Sequence, residues 1–308
     1  MFNDVVINML RLIETRITQM RDRASEVIKE AGNHVNQILE VKPGSKPIRF
    51  VAVDSGFADI NYLGFRISVI NVATLINSDG VGKLFTMFEP IIGVPSEELE
   101  RLALNLEVRY ALDAIRRFPV DLLLLDGPIL NRDGADRVGI QTLAHVKDVR
   151  SNRYTQSITE QNFRDYMERA LRVMEEPLAI HILMETRRSL GDVDGALITR
   201  PYVIGRLSNR EVYGFYVQYV QSTLPIYVEY LGDPSNINDI ISRLMPLSKT
   251  PRLGYPAPLY IVDRVARVNA EFRSMVRLII EKLGGDVLNE LRGEYLRISL
   301  NEYVKGIN

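Results

Sequence analysis

The chain has 308 residues, of which 46% are hydrophobic and 25% are charged, and its formal net charge is −1. These are ordinary values for a globular protein, and they exclude a disordered or collagen-like chain. Cysteine is absent, which excludes disulfides, a thiolate metal site and a cysteine nucleophile. The longest uncharged stretch, residues 212–228, contains glutamines and a proline. We therefore expect no membrane span and a cytoplasmic protein.

Arginine dominates the positive charge, with 30 arginines against 8 lysines. The planar guanidinium group binds phosphate or carboxylate through two parallel hydrogen bonds. Compositional drift or surface ion pairing explains the same bias, so the count alone does not indicate a nucleic-acid partner.

The first forty residues show the hydrophobic period of a helix. Apolar residues recur every three or four positions from Ile17 to Ile38, which predicts one helix over residues 2–40. A proline-bounded linker follows over residues 41–47. A lone helix has no core of its own, so it must pack on the rest of the chain or on a partner. We expect two parts, a helix with its linker over residues 1–44 and one domain over residues 45–308.

The rest of the chain opens with strands and then mixes helices and strands. Apolar runs bounded by turn residues predict strands, and a proline followed by acidic residues predicts a helix start. The predicted strands are residues 49–54, 65–76, 82–88, 120–125, 178–184, 202–207, 212–220 and 224–230, and the predicted helices are residues 95–118, 160–174, 237–245 and 258–283. This order predicts an α/β fold with a mixed β-sheet flanked by helices.

Two aspartates stand at the ends of apolar strands, where a sheet presents its functional edge. Asp54 precedes Ser-Gly, and Asp126 precedes Gly-Pro. An aspartate before glycine also forms Asx-turns that merely end a strand, and for either residue alone this alternative is equally good. The recurrence of the arrangement in one chain favours a function.

Glu107 is a third conspicuous acid, because it falls on the apolar face of the predicted helix at residues 95–118. Its neighbours on that face are Ala103, Leu104, Tyr110 and Ala111. A buried carboxylate needs a partner, since an unpaired buried charge is very costly. The alternatives are an ion pair with an arginine and a place in a shared acidic site.

If Asp54, Glu107 and Asp126 converge, they form an oxygen-only site that repels itself unless a divalent cation occupies it. Hard oxygen ligands suit Mg²⁺ or Mn²⁺. Two such ions can activate a water and stabilise the leaving oxygen of a phosphodiester. The absence of cysteine and the presence of only 3 histidines fit this chemistry better than zinc.

These motifs resemble, in order and spacing, those of the NurA nucleases, which have a ribonuclease H-like fold. The matching segments are Val51-Ala-Val-Asp54-Ser-Gly56, Leu106-Glu107-Val-Arg-Tyr-Ala111 and Leu124-Leu-Asp126-Gly-Pro128. Two later segments agree, Val146-Lys147-Asp-Val-Arg-Ser151 and the stretch from Gly254-Tyr255-Pro256 to Asp263-Arg-Val-Ala-Arg267. The resemblance covers roughly residues 48–270.

The resemblance implies a ribonuclease H-like nuclease domain over residues 45–308. It implies a hydrolase that cleaves DNA phosphodiester bonds with manganese, magnesium being the second choice of ion. The implied activities are 5′–3′ exonuclease and single-strand endonuclease, acting in double-strand break repair by homologous recombination. The implied partners are single-stranded DNA and DNA ends, a hexameric helicase of the HerA type, and a second copy of the chain in a homodimer.

The resemblance also assigns roles to individual residues. Asp54, Glu107 and Asp126 would be catalytic residues and metal ligands, and Tyr255 would lie at the catalytic pocket. Asp263 would be a further metal ligand, although the family usually has a histidine at this position. An aspartate can also bind manganese, but the alternative is a surface ion pair with an arginine four residues further on.

Basic and aromatic residues are candidates for DNA binding. Lys147, Arg150 and Arg153 could hold phosphates, and Arg187 and Arg188 could extend that track. Tyr213, Phe215, Tyr216 and Tyr219 could stack the bases of a single strand. Aromatic residues in strands more often pack in the core, so both alternatives stay open.

Two other functions compete with a nuclease. The same fold without the chemistry would be a scaffold that binds DNA or a motor protein, and the aspartate at position 263 is its main support. Asp54-Ser-Gly and Asp126-Gly also resemble the phosphate loops of actin-like sugar kinases. Phe57 and Pro128 stand where those loops need a hydroxyl residue, which disfavours a kinase.

Overall fold

A computed structural model describes residues 2–62, 65–78, 80–147, 152–249 and 254–279, together with residues 282 and 290. Within these residues one mixed sheet has the strand order β1-β7-β9-β10-β6-β5-β2-β3-β4, and β8 pairs with β9. β5 is parallel to β2 and β6, and the other pairs are antiparallel. The strands are β1 (Ile38–Val41), β2 (Phe50–Tyr62), β3 (Phe65–Ser78), β4 (Val81–Ile92), β5 (Leu122–Asp126), β6 (Gln141–Val146), β7 (Ala196–Thr199), β8 (Tyr202–Leu207), β9 (Arg210–Gln218) and β10 (Ile226–Leu231).

Helices cover both faces of the sheet, which confirms the predicted α/β class. The helices are α1 (Phe2–Glu30), α2 (Ser96–Arg117), α3 (Arg153–Ser157), α4 (Gln161–Leu171), α5 (Glu176–Ser189), α6 (Ile237–Leu244) and α7 (Ala257–Ala266), and residues 270–279 are also helical. The strand β5 shows the layering. Leu122 and Leu124 join the core that contains α6 and α7, whereas Leu123 and Leu125 join the core beneath α2. A strand covered on both faces is apolar throughout, as its sequence predicted.

The N-terminal helix is shorter than the predicted range of residues 2–40. α1 ends at Glu30, a 3₁₀ helix covers Ala31–Gln37, and β1 pairs antiparallel with β7. Gly32, Asn33 and Asn36 are weak helix formers, and the apolar residues that follow find a strand partner at the edge of the sheet. The division of the chain at residue 44 stays a prediction, although its first part contributes this strand.

The strand predicted at residues 178–184 is wrong, because this segment lies within α5. Its buried side chains include Ala179, Ile180, Leu183 and Met184, a spacing that belongs to one face of a helix. Pro177 stands in the first turn, where proline is well tolerated. The segment was predicted as a strand because its apolar residues are nearly continuous, so their helical spacing is not evident from the sequence.

The long helix predicted at residues 258–283 is interrupted. α7 ends before Arg267, whose backbone angles (φ −59°, ψ 123°) are not helical. The Asn269 side chain then accepts a hydrogen bond from the Phe272 backbone N–H at 2.8 Å, which caps the next helical segment. The strands β6 and β7 were not predicted from the sequence. No helix among the described residues is long and apolar enough to cross a membrane.

Candidate metal centre

The site begins where two parallel strands meet. Val53 of β2 and Leu125 of β5 are register partners, so Asp54 and Asp126 follow at the same level of the sheet. Asp126 is the last residue of β5, as predicted, but β2 continues past Asp54 to Tyr62 because it pairs along its whole length with β3. The two carboxylates therefore lie at the point where the pairing of β2 with β5 ends and only its pairing with β3 continues.

A third carboxylate comes from α7. One oxygen each from Asp54, Asp126 and Asp263 lies within 4.8 Å of the others. Gly56 allows α7 to come this close, because a Cβ there would lie 2.4 Å from the Ala266 carbonyl oxygen. The Asn71 amide on β3 donates to the carbonyl oxygen of Val265 at 2.8 Å, which ties down the end of the helix.

The three aspartates, which we call the acidic cluster, repel one another. Burial, followed by the charges of Glu107, Asp126 and Asp263, raises the pKa of Asp54 to about 8, against the hydrogen bond from the Ser55 backbone N–H. A cation at this place would stabilise the ionised form. The donors are all hard carboxylate oxygens, so the residues present fit Mn²⁺ or Mg²⁺.

Lys147 supplies a positive charge to the acidic cluster. Its Nζ lies 2.5 Å from Asp126 Oδ2 and 3.6 Å from Asp263 Oδ1, and it stands 4.8 Å from the centre of the Tyr255 ring. Asp263 also accepts a hydrogen bond from Arg267 Nη2 at 2.7 Å. Asp263 therefore forms the ion pair with Arg267 and also lies in the acidic cluster, and its role as a metal ligand stays a prediction.

Glu107 lies beside the acidic cluster, and both oxygens of its carboxylate accept hydrogen bonds from other side chains. Its Oε1 accepts from Ser55 Oγ at 2.5 Å, and its Oε2 accepts from Arg132 Nε at 2.9 Å and Nη2 at 2.5 Å. Burial raises the pKa of Glu107, against the attraction of Arg132. The ion pair with an arginine is therefore what the geometry shows, and a direct role of Glu107 as a metal ligand stays a prediction.

Arg132 is the residue that sequence analysis missed. Its side chain is fully buried and also donates to the backbone carbonyl oxygens of Asp126 at 2.5 Å, Gly127 at 2.7 Å and Pro128 at 2.6 Å. It therefore joins the turn after β5 to Glu107 on α2. An arginine in a polar loop carries no local signal of burial, because its partners lie on elements that are distant in the sequence.

Tyr255 lies beside the acidic cluster, as the resemblance implied. Its side chain is buried, and its hydroxyl oxygen has no hydrogen-bond partner of ordinary geometry among the described residues. Burial and then the charge of Asp126 raise its pKa, so the hydroxyl is protonated. His145, another buried neighbour that the prediction did not include, packs edge-on against the ring at 5.5 Å. Burial and the Lys147 charge lower the pKa of His145 to about 3, so the ring is neutral.

The predicted DNA-binding arginines do not gather at the acidic cluster in the described part of the chain. Arg153 Nη1 donates to the buried Glu229 at 3.2 Å, and Arg188 donates to Gln218 and to two backbone carbonyl oxygens. Arg187 is half-buried at the end of α5, and Arg150 lies outside the described residues. Of these candidates Lys147 contacts the acidic cluster, and DNA binding by the arginines stays a prediction.

Three of the four aromatic residues in and just after β9 pack in the core, which is one of the two alternatives that the sequence left open. Phe215, Tyr216 and Tyr219 are buried, and Tyr216 donates to Glu176 at 2.7 Å. Alternate residues of this strand pack against helices on both faces of the sheet, which is the alternative that the strand propensity favoured.

A groove of about 780 Å³ leads away from the acidic cluster. Lys147, Tyr255, Asp263 and Arg267 line it where it meets the cluster. The remaining lining includes Leu224 and Pro225 from the turn before β10, and Tyr260 from α7. An acidic centre thus continues into a partly apolar surface.

A mixed sheet of this order, with acidic residues on its adjoining parallel strands β2 and β5, defines a ribonuclease H-like α/β protein. Residues 48–268 match the family model described as the NurA domain, and the chain therefore belongs to the NurA family. No curated relative matches its sequence.

Solved NurA structures share the fold. The NurA nuclease from Sulfolobus solfataricus is 18% identical with a TM-score of 0.55, over 91% of this chain and 97% of that one. A second NurA structure is 12% identical with a TM-score of 0.51, over 89% and 98%.

Proposed function

We propose that the chain is a metal-dependent DNA nuclease. The observation that carries the proposal is the convergence of the Asp54, Asp126 and Asp263 carboxylates beside Lys147 at the mouth of a groove. An acidic centre of this kind repels a phosphodiester unless a divalent cation is bound. The same three carboxylates are the residues that would hold the ion.

Each residue has a distinct task in this proposal. The three aspartates bind the ion, which supplies charge stabilisation for the phosphate and an activated water when bound. Lys147 stands within reach of a phosphate oxygen that enters beside Asp126. Glu107, held by Arg132, orients Ser55 and with it the strand that carries Asp54. Tyr255 closes the back of the site and keeps a protonated hydroxyl near Asp126.

The finer properties rest on the family. We infer manganese as the preferred ion, with 5′–3′ exonuclease and single-strand endonuclease activity at DNA ends. The biological setting would be double-strand break repair by homologous recombination with a HerA-type helicase. A cytoplasmic location remains a prediction from the sequence.

A homodimer and a helicase partner are supported by uncovered apolar side chains. Val27 and Ala31 anchor the end of α1 and the turn that follows it, but other apolar residues of α1 are exposed. β4 is an edge strand of the described sheet and also carries exposed apolar residues. The exposed residues are Met9, Ile13, Ile17, Met20 and Ile28 on α1, and Val81, Leu84, Phe85, Met87 and Phe88 on β4. Such surfaces mark interaction sites.

The scaffold hypothesis keeps one specific support. Arg132 and Ser55 occupy both oxygens of Glu107, which removes one expected ligand unless the pair opens. A scaffold would bind DNA and leave it intact with every divalent ion.

Incubation of labelled single-stranded and duplex DNA with Mn²⁺, Mg²⁺ or EDTA tests the proposal. We expect cleavage with Mn²⁺, none with EDTA, and none for Asp126→Asn. Asp239→Asn is the matched control, because Asp239 is an exposed acid on α6 outside the acidic cluster. Full activity in Asp126→Asn, or intact DNA under all conditions, would contradict the nuclease assignment.

A further inference from the structure

One face of α7 combines three different chemical groups. Tyr260, Asp263 and Arg267 follow at intervals of three and four residues, so they lie along the same side of the helix. All three line the groove that leads from the acidic cluster. The helix thus places an aromatic ring, a carboxylate of the acidic cluster and a cation along one path.

The Tyr260 ring is exposed, and a contact with Arg264 holds it in place. It is 39% exposed, and Arg264 donates to its hydroxyl at 3.2 Å with the guanidinium carbon 5.8 Å from the ring centre. Leu224, from the turn before β10, is 58% exposed and lines the same groove. An exposed aromatic ring and an exposed leucine that line one groove beside a charged centre form a surface that fits a ligand with both a flat apolar part and a charged part.

We propose that this groove receives one unstacked nucleobase next to the phosphate that is cleaved, with Tyr260 and Leu224 as the apolar contacts of the base. The proposal rests on the proposed nuclease function and adds its substrate geometry. The groove volume lies within the range of sites that bind small molecules. A base in a duplex is stacked and paired, so its flat face is open to Tyr260 only in a single strand or a frayed end.

The groove could bind both the charged phosphates and the apolar base of a nucleotide. Lys147 and Arg267 provide positive charge for the phosphates on either side of the base, and the apolar lining takes the base itself. Stacking on an aromatic ring accepts every base, because each has a π-face. The site would therefore require a base and tolerate any sequence.

A scan with single abasic nucleotides tests the proposal. We would prepare 12-nucleotide single strands, each with one abasic position. Cleavage rates would be measured with Mn²⁺, and binding would be measured by fluorescence anisotropy with Mn²⁺ in the Asp126→Asn background, which is expected not to cleave. For the wild type, we expect one position near the cut where the missing base weakens kcat/KM roughly 5- to 150-fold. Tyr260→Ala should weaken the intact strand by a similar factor and lose its sensitivity to that abasic position.

Tyr260→Phe is the conservative variant, because it keeps the ring and loses only the hydroxyl. It should retain the base effect. Leu190→Ala is the matched surface control, since Leu190 is exposed at the end of α5 and does not line the groove. It should behave as the wild type in both assays.

The possible results separate the two proposals. If the wild type cleaves DNA but tolerates an abasic nucleotide at every position, the base site is refuted and the nuclease function stands. If Tyr260→Ala weakens intact and abasic strands equally, the ring does not act through the base, and the base site is again refuted. If no DNA is cleaved under any condition, the proposed function fails, while a base effect in the binding assay would still support the groove.

Discussion

Replacing Arg132 with methionine removes a buried cation whose bonds the structure specifies in full. The guanidinium donates five hydrogen bonds, to Glu107 Oε2 from Nε and Nη2 and to the carbonyl oxygens of Asp126, Gly127 and Pro128. Methionine fills similar space but donates none of them. The Glu107 carboxylate then keeps only Ser55 as a partner.

The expected cost follows from these contacts. Removing one partner of a buried ion pair costs ~3–5 kcal/mol, because the other charge stays buried. The three carbonyl oxygens lose further bonds, at about 1 kcal/mol each. Since such terms are not additive, we expect a loss of roughly 5 kcal/mol in the free energy of unfolding, which is large for one substitution.

The loss should depend on pH in a defined direction. Burial already raises the pKa of Glu107, and losing Arg132 raises it further. A carboxyl whose folded pKa exceeds its unfolded value of ~4.3 favours the fold at low pH and loses that contribution as the pH rises. Arg132→Met should therefore be least damaging near pH 5 and most damaging above the raised pKa.

Urea unfolding of the metal-free protein at pH 5 and pH 8 measures these effects. The matched control is the double variant Arg132→Met with Glu107→Gln, which removes the charge along with its partner and should regain most of the stability. A single variant that unfolds within about 1 kcal/mol of the wild type would refute the role given to Arg132. A double variant no more stable than the single one would show that lost packing, and not the unpaired charge, causes the damage.

Three further predictions concern the acidic cluster and α1. The pKa of Asp54 is raised to about 8, so its ionisation opposes folding as the pH rises from ~4 to ~8. Asp54→Asn should abolish cleavage. In thermal unfolding of the metal-free protein, it should also flatten the loss of stability over that pH range. Asp263→Ala should weaken Mn²⁺ binding, measured by calorimetry, at every pH. Asp263→His should stay active, but on acidification it should lose activity at a higher pH than the wild type does, because imidazole protonates near ~6.5. If the alanine variant binds Mn²⁺ as tightly as the wild type, Asp263 is only a partner of Arg267. Deletion of residues 1–24, which spares the anchors Val27 and Ala31, should lower the molecular mass measured by light scattering or weaken helicase binding, and no change in either would leave α1 without its proposed partner.

Local features of the sequence were enough for much of the central fold. β3, β5 and α2 were predicted nearly at their observed positions, and so was the start of β2, because continuous apolar runs and a helical period are properties of neighbouring residues; the extension of β2 from Asp54 to Tyr62 was not predicted. The placement of Asp126 at a strand end and of Glu107 on a buried helix face followed in the same way. The family resemblance then added Asp263, which no local pattern marks as a partner of Asp54.

Local pattern failed where a segment had two possible partners. The apolar run in α5 has the composition of a strand, and only its packing against other helices reveals which side is buried. Residues 38–41 continue the spacing of α1, but the free edge of β7 takes them as a strand. Propensity is a weak prior in such cases, and tertiary contacts override it.

The sequence by itself determined the class of fold, the strands that bear Asp54 and Asp126, and the need of Glu107 for a partner, since burial patterns and the cost of an unpaired charge are local or general. Only the tertiary structure decided that the partner of Glu107 is Arg132, that Asp263 joins the acidic cluster across α7, and that Tyr260 and not the β9 aromatics faces the groove. These pairings join residues that are distant in the chain. Their geometry depends on how helices pack across the sheet, through such details as the missing Cβ of Gly56, and the spacing of residues along the sequence carries no record of it.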